Sequence, residues 1–274
     1  MNQVNRVIEI LKVPTGTYMV NTADVIGMNL KHEEQWEPWL ARFYNGLVQQ
    51  DWVCIDAGAN IGTHTIQLAK LCDRVYAFEP QVMIYNMLCC NISLNNNDFQ
   101  INAIKKGLGD KEEVKQLWNI AFEHFGQGLF NWGGRGIEQE GCGKPYDKND
   151  VREYDQIEVT TLDSYNLDRC DLIKIDIQGY ESKAFAGGEK TIDKFKPFVL
   201  VENSNLESPE LDNNMKAKQW LLDKGYEFYR LMMPENKKYM NDDCFALHPE
   251  NKYYSLAKNM IDGAPEGWIY TQEL

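Results

Sequence analysis

The sequence contains no apolar run longer than four residues, Trp52-Val53-Cys54-Ile55 being one of that length. A bilayer-crossing helix needs about 20 consecutive apolar residues, so no membrane span is expected. The opening residues, Met1-Asn2-Gln3-Val4-Asn5-Arg6, lack a basic start followed by an apolar stretch, and no signal peptide is expected. Paired cysteines are also missing. The seven stand at 54, 72, 89, 90, 142, 170 and 244, an odd count with no CxxC spacing. That pattern argues against a disulfide framework or a zinc site and points to a reducing cytoplasm. Basic residues are in deficit: 28 Lys and Arg stand against 41 Asp and Glu, for a net charge of −13. No basic cluster exceeds a pair such as Lys105-Lys106 or Lys237-Lys238. An acidic chain repels polyphosphate, so nucleic acid is not the expected partner.

What the chain does have is 43% hydrophobic and 12% aromatic residues over a length of 274. That is enough to bury a core, and the length suits one elaborated domain, 1–274. Strand-like runs at 51–56, 74–78, 100–104, 171–176, 197–202 and 226–231 alternate with helix-like stretches at 61–71, 80–94, 180–195 and 210–224. The stretch 180–195 is interrupted near Gly187-Gly188. This rhythm predicts an α/β fold, a mostly parallel, Rossmann-like sheet with helices on both faces. Residues 1–50 are read as an N-terminal helical extension, with Trp36, Trp39, Leu40, Phe43 and Leu47 at helical spacing. Residues 51–231 form the core. Within it, 107–160 is an insertion between the third and fourth core strands, with extended segments at 112–120 and 156–160. A strand and tail over 232–274 complete the chain. Insertions at the carboxyl end of such a sheet are where acceptor sites are elaborated.

The most informative segment is Val53-Cys54-Ile55-Asp56-Ala57-Gly58-Ala59-Asn60-Ile61-Gly62. A buried strand ends at Asp56 and enters a small-residue turn before a helix. Gly58 permits close backbone approach to a ligand, and Gly62 lets the helix pack near the strand. Amides at the helix start favour an anionic group, and Asp56 suits a cationic amine. A dinucleotide fingerprint would need Gly at i, i+2 and i+5. From Gly58 those places hold Asn60 and Thr63, so the fingerprint fails twice. Glu79, at the end of the second core strand, suits a ribose diol. Together these residues favour S-adenosylmethionine over a dinucleotide.

Further motifs occur in a fixed order. Trp36-Glu37-Pro38 precedes the turn at 56–62. Phe78-Glu79-Pro80, Leu88 with Asn91, and Gly107-Leu108-Gly109-Asp110 follow it. Then come Thr161-Leu162-Asp163, Lys174-Ile175-Asp176-Ile177-Gln178-Gly179-Tyr180-Glu181, Gly187-Gly188, and Pro197 with Glu202. Over roughly residues 35–205 the chain resembles the FkbM family of S-adenosylmethionine-dependent methyltransferases. The resemblance implies a class I methyltransferase fold and methyl transfer to oxygen, often on sugars or other hydroxylated metabolites. It implies a cofactor set of Asp56, Gly58, Ala59, Asn60, Gly62, Glu79, Pro80, Leu108, Asp176 and Gln178. Family members commonly carry Glu where Gln178 stands, and an amide cannot act as a base or a charged ligand.

Methyl transfer from a sulfonium is an in-line displacement that needs alignment and, for an aliphatic hydroxyl, loss of a proton to a base or a metal. Asp176, at a strand end beside the expected methyl, is the first catalytic candidate, with bracing of the turn as its alternative role. Glu202 and Asn203, at the next strand end, could join Asp176 around Mg²⁺; a bond from Glu202 to a backbone amide or Lys174 is the plainer reading. His124, in the insertion where an acceptor could bind, is a candidate general base, because an imidazole ordinarily titrates near neutral pH. His64 could touch the methionine portion or pack. Trp36, Trp39, Trp118 and Trp132 could stack on a sugar, although helical spacing makes Trp36 and Trp39 core residues. Arg135 lies in the glycine-rich 131–136 stretch, where it could meet an anionic acceptor. Two other functions fit: methyl transfer to nitrogen of a small molecule or peptide, and a cofactor-binding protein without catalysis. No Asn-Pro-Pro-Tyr-like segment stands at the fourth core strand, which further lowers a nucleic-acid substrate.

Overall fold

The computed structural model describes residues 8–118, 133, 154–202, 210–232, 243–263 and 269–273. The central sheet has eight strands. In spatial order they are β13 (Ile269–Glu273), β11 (Glu227–Met232), β12 (Asp243–Leu247), β10 (Phe198–Glu202), β9 (Leu172–Ile175), β3 (Val53–Ala57), β4 (Arg74–Phe78) and β5 (Ile101–Ile104). Strands β5, β4, β3, β9 and β10 run parallel, and β12 pairs antiparallel with both β10 and β11. The parallel strands are covered on both faces, so they read as continuous apolar runs. All four residues of β9 are buried. Two apolar clusters fill the two faces: one around Tyr44, Trp52, Leu68, Phe198 and Phe245, the other around Ile55, Phe78, Phe185, Val201 and Phe228.

Helix α3 (Thr63–Ala69) follows β3, and α4 (Val82–Leu94) follows β4. The stretch 180–195 splits into α5 (Glu181–Gly187) and α6 (Glu189–Phe195), as Gly187-Gly188 suggests. Asp163 initiates α6 from a distance. Its carboxylate accepts from Lys190 N (3.0 Å), Thr191 N (2.8 Å) and Thr191 Oγ1 (2.7 Å), satisfying amides that a helix start leaves open. Helix α7 (Glu210–Asp223) packs against α5. No helix among the described residues is long and apolar enough to cross a membrane.

The N-terminal segment opens as a hairpin, not a helix. Strands β1 (Ile8–Val13) and β2 (Gly16–Asn21) pair antiparallel before α1 (Val25–His32) and α2 (Pro38–Leu47). Pro38 sits at the start of α2, where its missing N–H is harmless. Leu40, Phe43 and Leu47 are buried, while Trp36 and Trp39 pack partly buried against the first cluster. The free edge of β2 meets side chains of α4. Asn91 accepts from Met19 N (2.6 Å) and donates to Met19 O (3.2 Å). Asn95 accepts from Thr17 N (2.9 Å) and donates to Thr17 O (2.7 Å). Two amides one helical turn apart thus act as a surrogate strand. In the insertion, β7 (Glu113–Trp118), β8 (Tyr154–Thr160) and the short β6 (Gly107–Leu108) form a separate three-stranded sheet. The C-terminal region holds α8 (Tyr254–Asp262) as well as strands, more than the strand and tail expected.

Candidate active site

The cleft-forming turns lie side by side because β3 and β9 are neighbours in the sheet. The first, residues 58–62, places Gly58 at φ 80°, Asn60 at φ 50° and Gly62 at φ 92°. A Cβ on Gly58 would lie 1.9 Å from the Asp176 carbonyl oxygen, so only glycine lets the two turns touch. A Cβ on Gly62 would lie 2.7 Å from Leu88 Cδ1, where α4 packs against α3. Asn91, fully buried, donates to Ile61 O (2.8 Å) and ties the turn to α4. The paired motif residues Leu88 and Asn91 therefore shape the turn from behind.

The turn amides differ from the anion cradle expected of them. Gly58 N and Ala59 N both donate to Phe78 O, at 3.0 and 2.9 Å. Asn60 N donates to Glu79 Oε2 (3.1 Å), Ile61 N to Asn60 Oδ1 (2.7 Å) and Gly62 N to Ala59 O (2.9 Å). All five are bonded within the protein. Asp56 also departs from expectation. It is fully enclosed beneath the turn, with Thr65 Oγ1 donating to Oδ2 at 2.5 Å and Lys174 Nζ 3.8 Å from Oδ1. A side chain with no exposed surface braces the turn and cannot meet an amine directly. Glu79 is buried, accepting Asn60 N and, at 2.8 Å, Gln81 N. Burial pushes its carboxyl up to about 7. Each oxygen retains a second lone pair for a hydroxyl donor.

The second turn, residues 176–180, follows β9. Asp176 bonds Ala57 O through its amide (3.0 Å), and its side chain is 37% exposed. Gln178 Nε2 donates to Asp176 Oδ1 at 2.6 Å, and Lys174 Nζ stands 3.7 Å from Oδ2. Lys174 thus lies between two carboxylates, a bridge that strand-end position alone did not predict. The amide at 178 has a use that a carboxylate would lack, because it donates a hydrogen to Asp176. Glu181, 2% exposed, accepts from Ile177 N (3.0 Å) and Gly179 N (3.2 Å).

Other sequence candidates scatter. Pro80 is half-buried after β4. Leu108 is buried in the second cluster and lines no open surface. Gly109 and Gly187 serve packing: a Cβ on Gly187 would lie 1.9 Å from Gly109 O. His64 is enclosed, with Nε2 2.9 Å from Glu37 Oε2 and Nδ1 3.4 Å from the Tyr44 hydroxyl. Both ring nitrogens face protein groups, so it packs behind the cleft. His124, Trp132, Arg135 and Asn203 lie outside the described residues, as do the side chains of Trp118 and Glu202, whose backbones end β7 and β10. Among the described residues no group of three acidic, histidine or cysteine side chains could hold a metal. An apolar cavity of about 330 Å³ lies between β2 and α4, lined by Met19, Ile61, Met83, Ile84 and Met87 among others.

The donor set of this cleft fits a nucleoside cofactor that bears positive charge. Asp176 and Glu79 place carboxyls at the ends of β9 and β4, and the glycine of the intervening turn keeps side chains out of the way. Such a turn-bearing sheet, with its antiparallel strand β12 between β10 and β11, defines the class I S-adenosylmethionine-dependent methyltransferase fold. The chain belongs to the FkbM methyltransferase family, whose model, described as the methyltransferase FkbM domain, matches residues 56–228. No curated protein matches it. Among solved structures, it is 16% identical to the methyltransferase FkbM from Methylobacillus flagellatus, with a TM-score of 0.48. That match covers 76% of this chain and 50% of the other, so the chain spans about half the length of that protein. A putative methyltransferase from Streptococcus mutans, solved with S-adenosylhomocysteine, is 11% identical over 76% of this chain and 94% of its own, with a TM-score of 0.44. An rRNA methylase from Streptococcus thermophilus is 14% identical over 76% and 92%, with a TM-score of 0.42.

Proposed function

We propose that the protein transfers a methyl group from S-adenosylmethionine to a hydroxyl of a sugar, glycan or related small metabolite. Family membership supports the reaction class, and one structural observation carries the reading: Asp176, partly exposed, stands at the joint between the two cleft turns. When bound, S-adenosylmethionine would supply an electrophilic methyl. Glu79 would face the ribose hydroxyls through its remaining lone pairs. Gly58 and Ala59 would form the floor. Asp176 would meet positive charge or receive the acceptor hydroxyl's proton, since its carboxylate can accept a hydrogen bond from an incoming O–H. Gln178 and Lys174 would hold that carboxylate in place from two sides. Asp56 would act from beneath by fixing Thr65 at the start of α3.

The acidic balance of 28 basic against 41 acidic residues favours an uncharged or cationic partner over a polyanion. Calorimetric titration with S-adenosylmethionine and S-adenosylhomocysteine tests the cofactor. A screen of glycans, small alcohols and small amines for a one-methyl mass gain tests the acceptor. Absence of cofactor binding by the wild type would defeat the enzyme reading. A mass gain confined to amines would replace oxygen by nitrogen as acceptor.

A further inference from the structure

We propose that Glu181 is a positioning residue of the cleft: its carboxyl holds the turn at 176–180, and with it Asp176 and Gln178, against the Gly58 turn. The turn is not held by local preference. Gln178 (φ 55°) and Gly179 (φ 91°) are consecutive left-handed residues, a conformation that side-chain-bearing residues disfavour. The two amides that bracket Gln178, those of Ile177 and Gly179, both donate to Glu181 Oε1, at 3.0 and 3.2 Å. One buried oxygen therefore fixes the backbone on either side of the residue that orients Asp176.

The geometry then passes to the cofactor side. The Asp176 carbonyl occupies the space a Cβ on Gly58 would need, and Ile177 Cγ2 would stand 3.3 Å from that same Cβ. A shift of the second turn must disturb the first. The other oxygen, Oε2, is buried and has no hydrogen-bond partner among the described residues. Glu181 is thus not retained as half of an ion pair; the work falls to the oxygen that accepts two amides. Glu79 does the same for the neighbouring turn by accepting Asn60 N and Gln81 N. A buried carboxyl secures each wall of the cleft.

The test uses the full chain with two readouts. Hydrogen exchange at the Ile177 and Gly179 amides needs no ligand and is independent of the methyl-transfer reading. Cofactor affinity, measured by calorimetry with S-adenosylmethionine, rests on that reading. In the wild type both amides are expected to be protected. Glu181→Gln keeps an accepting oxygen, so exchange and affinity should stay within about threefold of wild type. Glu181→Ala should speed exchange at both amides at least tenfold and weaken cofactor binding about tenfold. If Glu181→Ala does not fold, wild type and Glu181→Gln still decide. Unprotected amides in the wild type overturn the proposal, as does a folded Glu181→Ala with unchanged affinity. A Gln variant as impaired as the Ala variant also overturns it, because charge would then matter rather than the accepting oxygen. No binding by the wild type would sink the methyl-transfer reading and leave the exchange result to judge this one.

Discussion

Glu79 offers a test in which the sign and the size of an effect both come from the fold. Its carboxyl rises from 4.5 to about 7, chiefly through burial, although Gln81 and Asn60 amides and Lys174 oppose the shift. A raised folded-state pKa means that the folded protein binds this proton more tightly than the unfolded chain does. The associated stability is fully present below about 4.5 and is lost as pH rises through about 7. With those two values, linkage makes the contribution of this group about 2–3 kcal/mol larger at pH 5 than at pH 8. Glu79→Gln cannot titrate. It also sets an amide donor against one of two backbone donors, a cost that does not vary with pH. The variant should therefore be less stable than wild type at pH 5, and the gap should close by about 2–3 kcal/mol on reaching pH 8. Urea denaturation of both proteins at pH 5, 6, 7 and 8 measures it. Glu181, also pushed up to about 7 by burial, titrates in both proteins and cancels in the difference. A gap that is constant across this range would refute the reasoning, because the buried carboxyl would then be ionised throughout.

Three further substitutions probe the cleft and its supports. Gly58→Ala adds a carbon 1.9 Å from the Asp176 carbonyl in a left-handed residue; it should abolish cofactor binding by calorimetry and lower stability by at least about 1–2 kcal/mol. Asn91→Ala removes the partner of Met19 N, Met19 O and Ile61 O. It should cost about 2–4 kcal/mol in chemical denaturation, given the usual penalty for buried polar groups left unpaired. Asp163→Ala uncaps α6 and should cost about 1–2 kcal/mol. Because the Asp163 carboxylate bonds the start of α6 and neither cleft turn, cofactor affinity should hold, and a large loss of affinity would contradict its capping role.

The parts of the fold legible in the sequence are those whose pattern is local. Buried parallel strands such as β3 and β9 produce short apolar runs, and Gly187-Gly188 marks the break between α5 and α6. The hairpin was not legible because β1 turns alternate side chains outward, leaving Ile8 and Ile10 exposed. Its docking also depends on Asn91 and Asn95, more than 70 positions away. The site divides the same way. Gly58 and Gly62 announce a tight turn by being glycine. That Asp56 points inward to Thr65 and Lys174 depends on which face of β3 it occupies, and a strand-end position does not say. Lys174 and Glu181 stood in a recognised motif, but their roles required knowing which backbone groups and carboxylates the turns bring to them.

The docking of the N-terminal hairpin also has a temporal consequence. During synthesis, residues 16–21 leave the ribosome long before Asn91 and Asn95, their hydrogen-bonding partners across 72 and 78 positions. Until α4 exists, the inward face of β2, with Tyr18 and Val20, has only part of its cover, from α1, and its edge groups lack their surrogate strand. Long-range pairing of this kind is slow and exposes a template for association with other chains. The asparagine pair, one member of which also ties down the 58–62 turn, is therefore the latch that ends this vulnerable interval, so variants at Asn91 or Asn95 should yield more aggregate on refolding than their equilibrium stability alone would dictate.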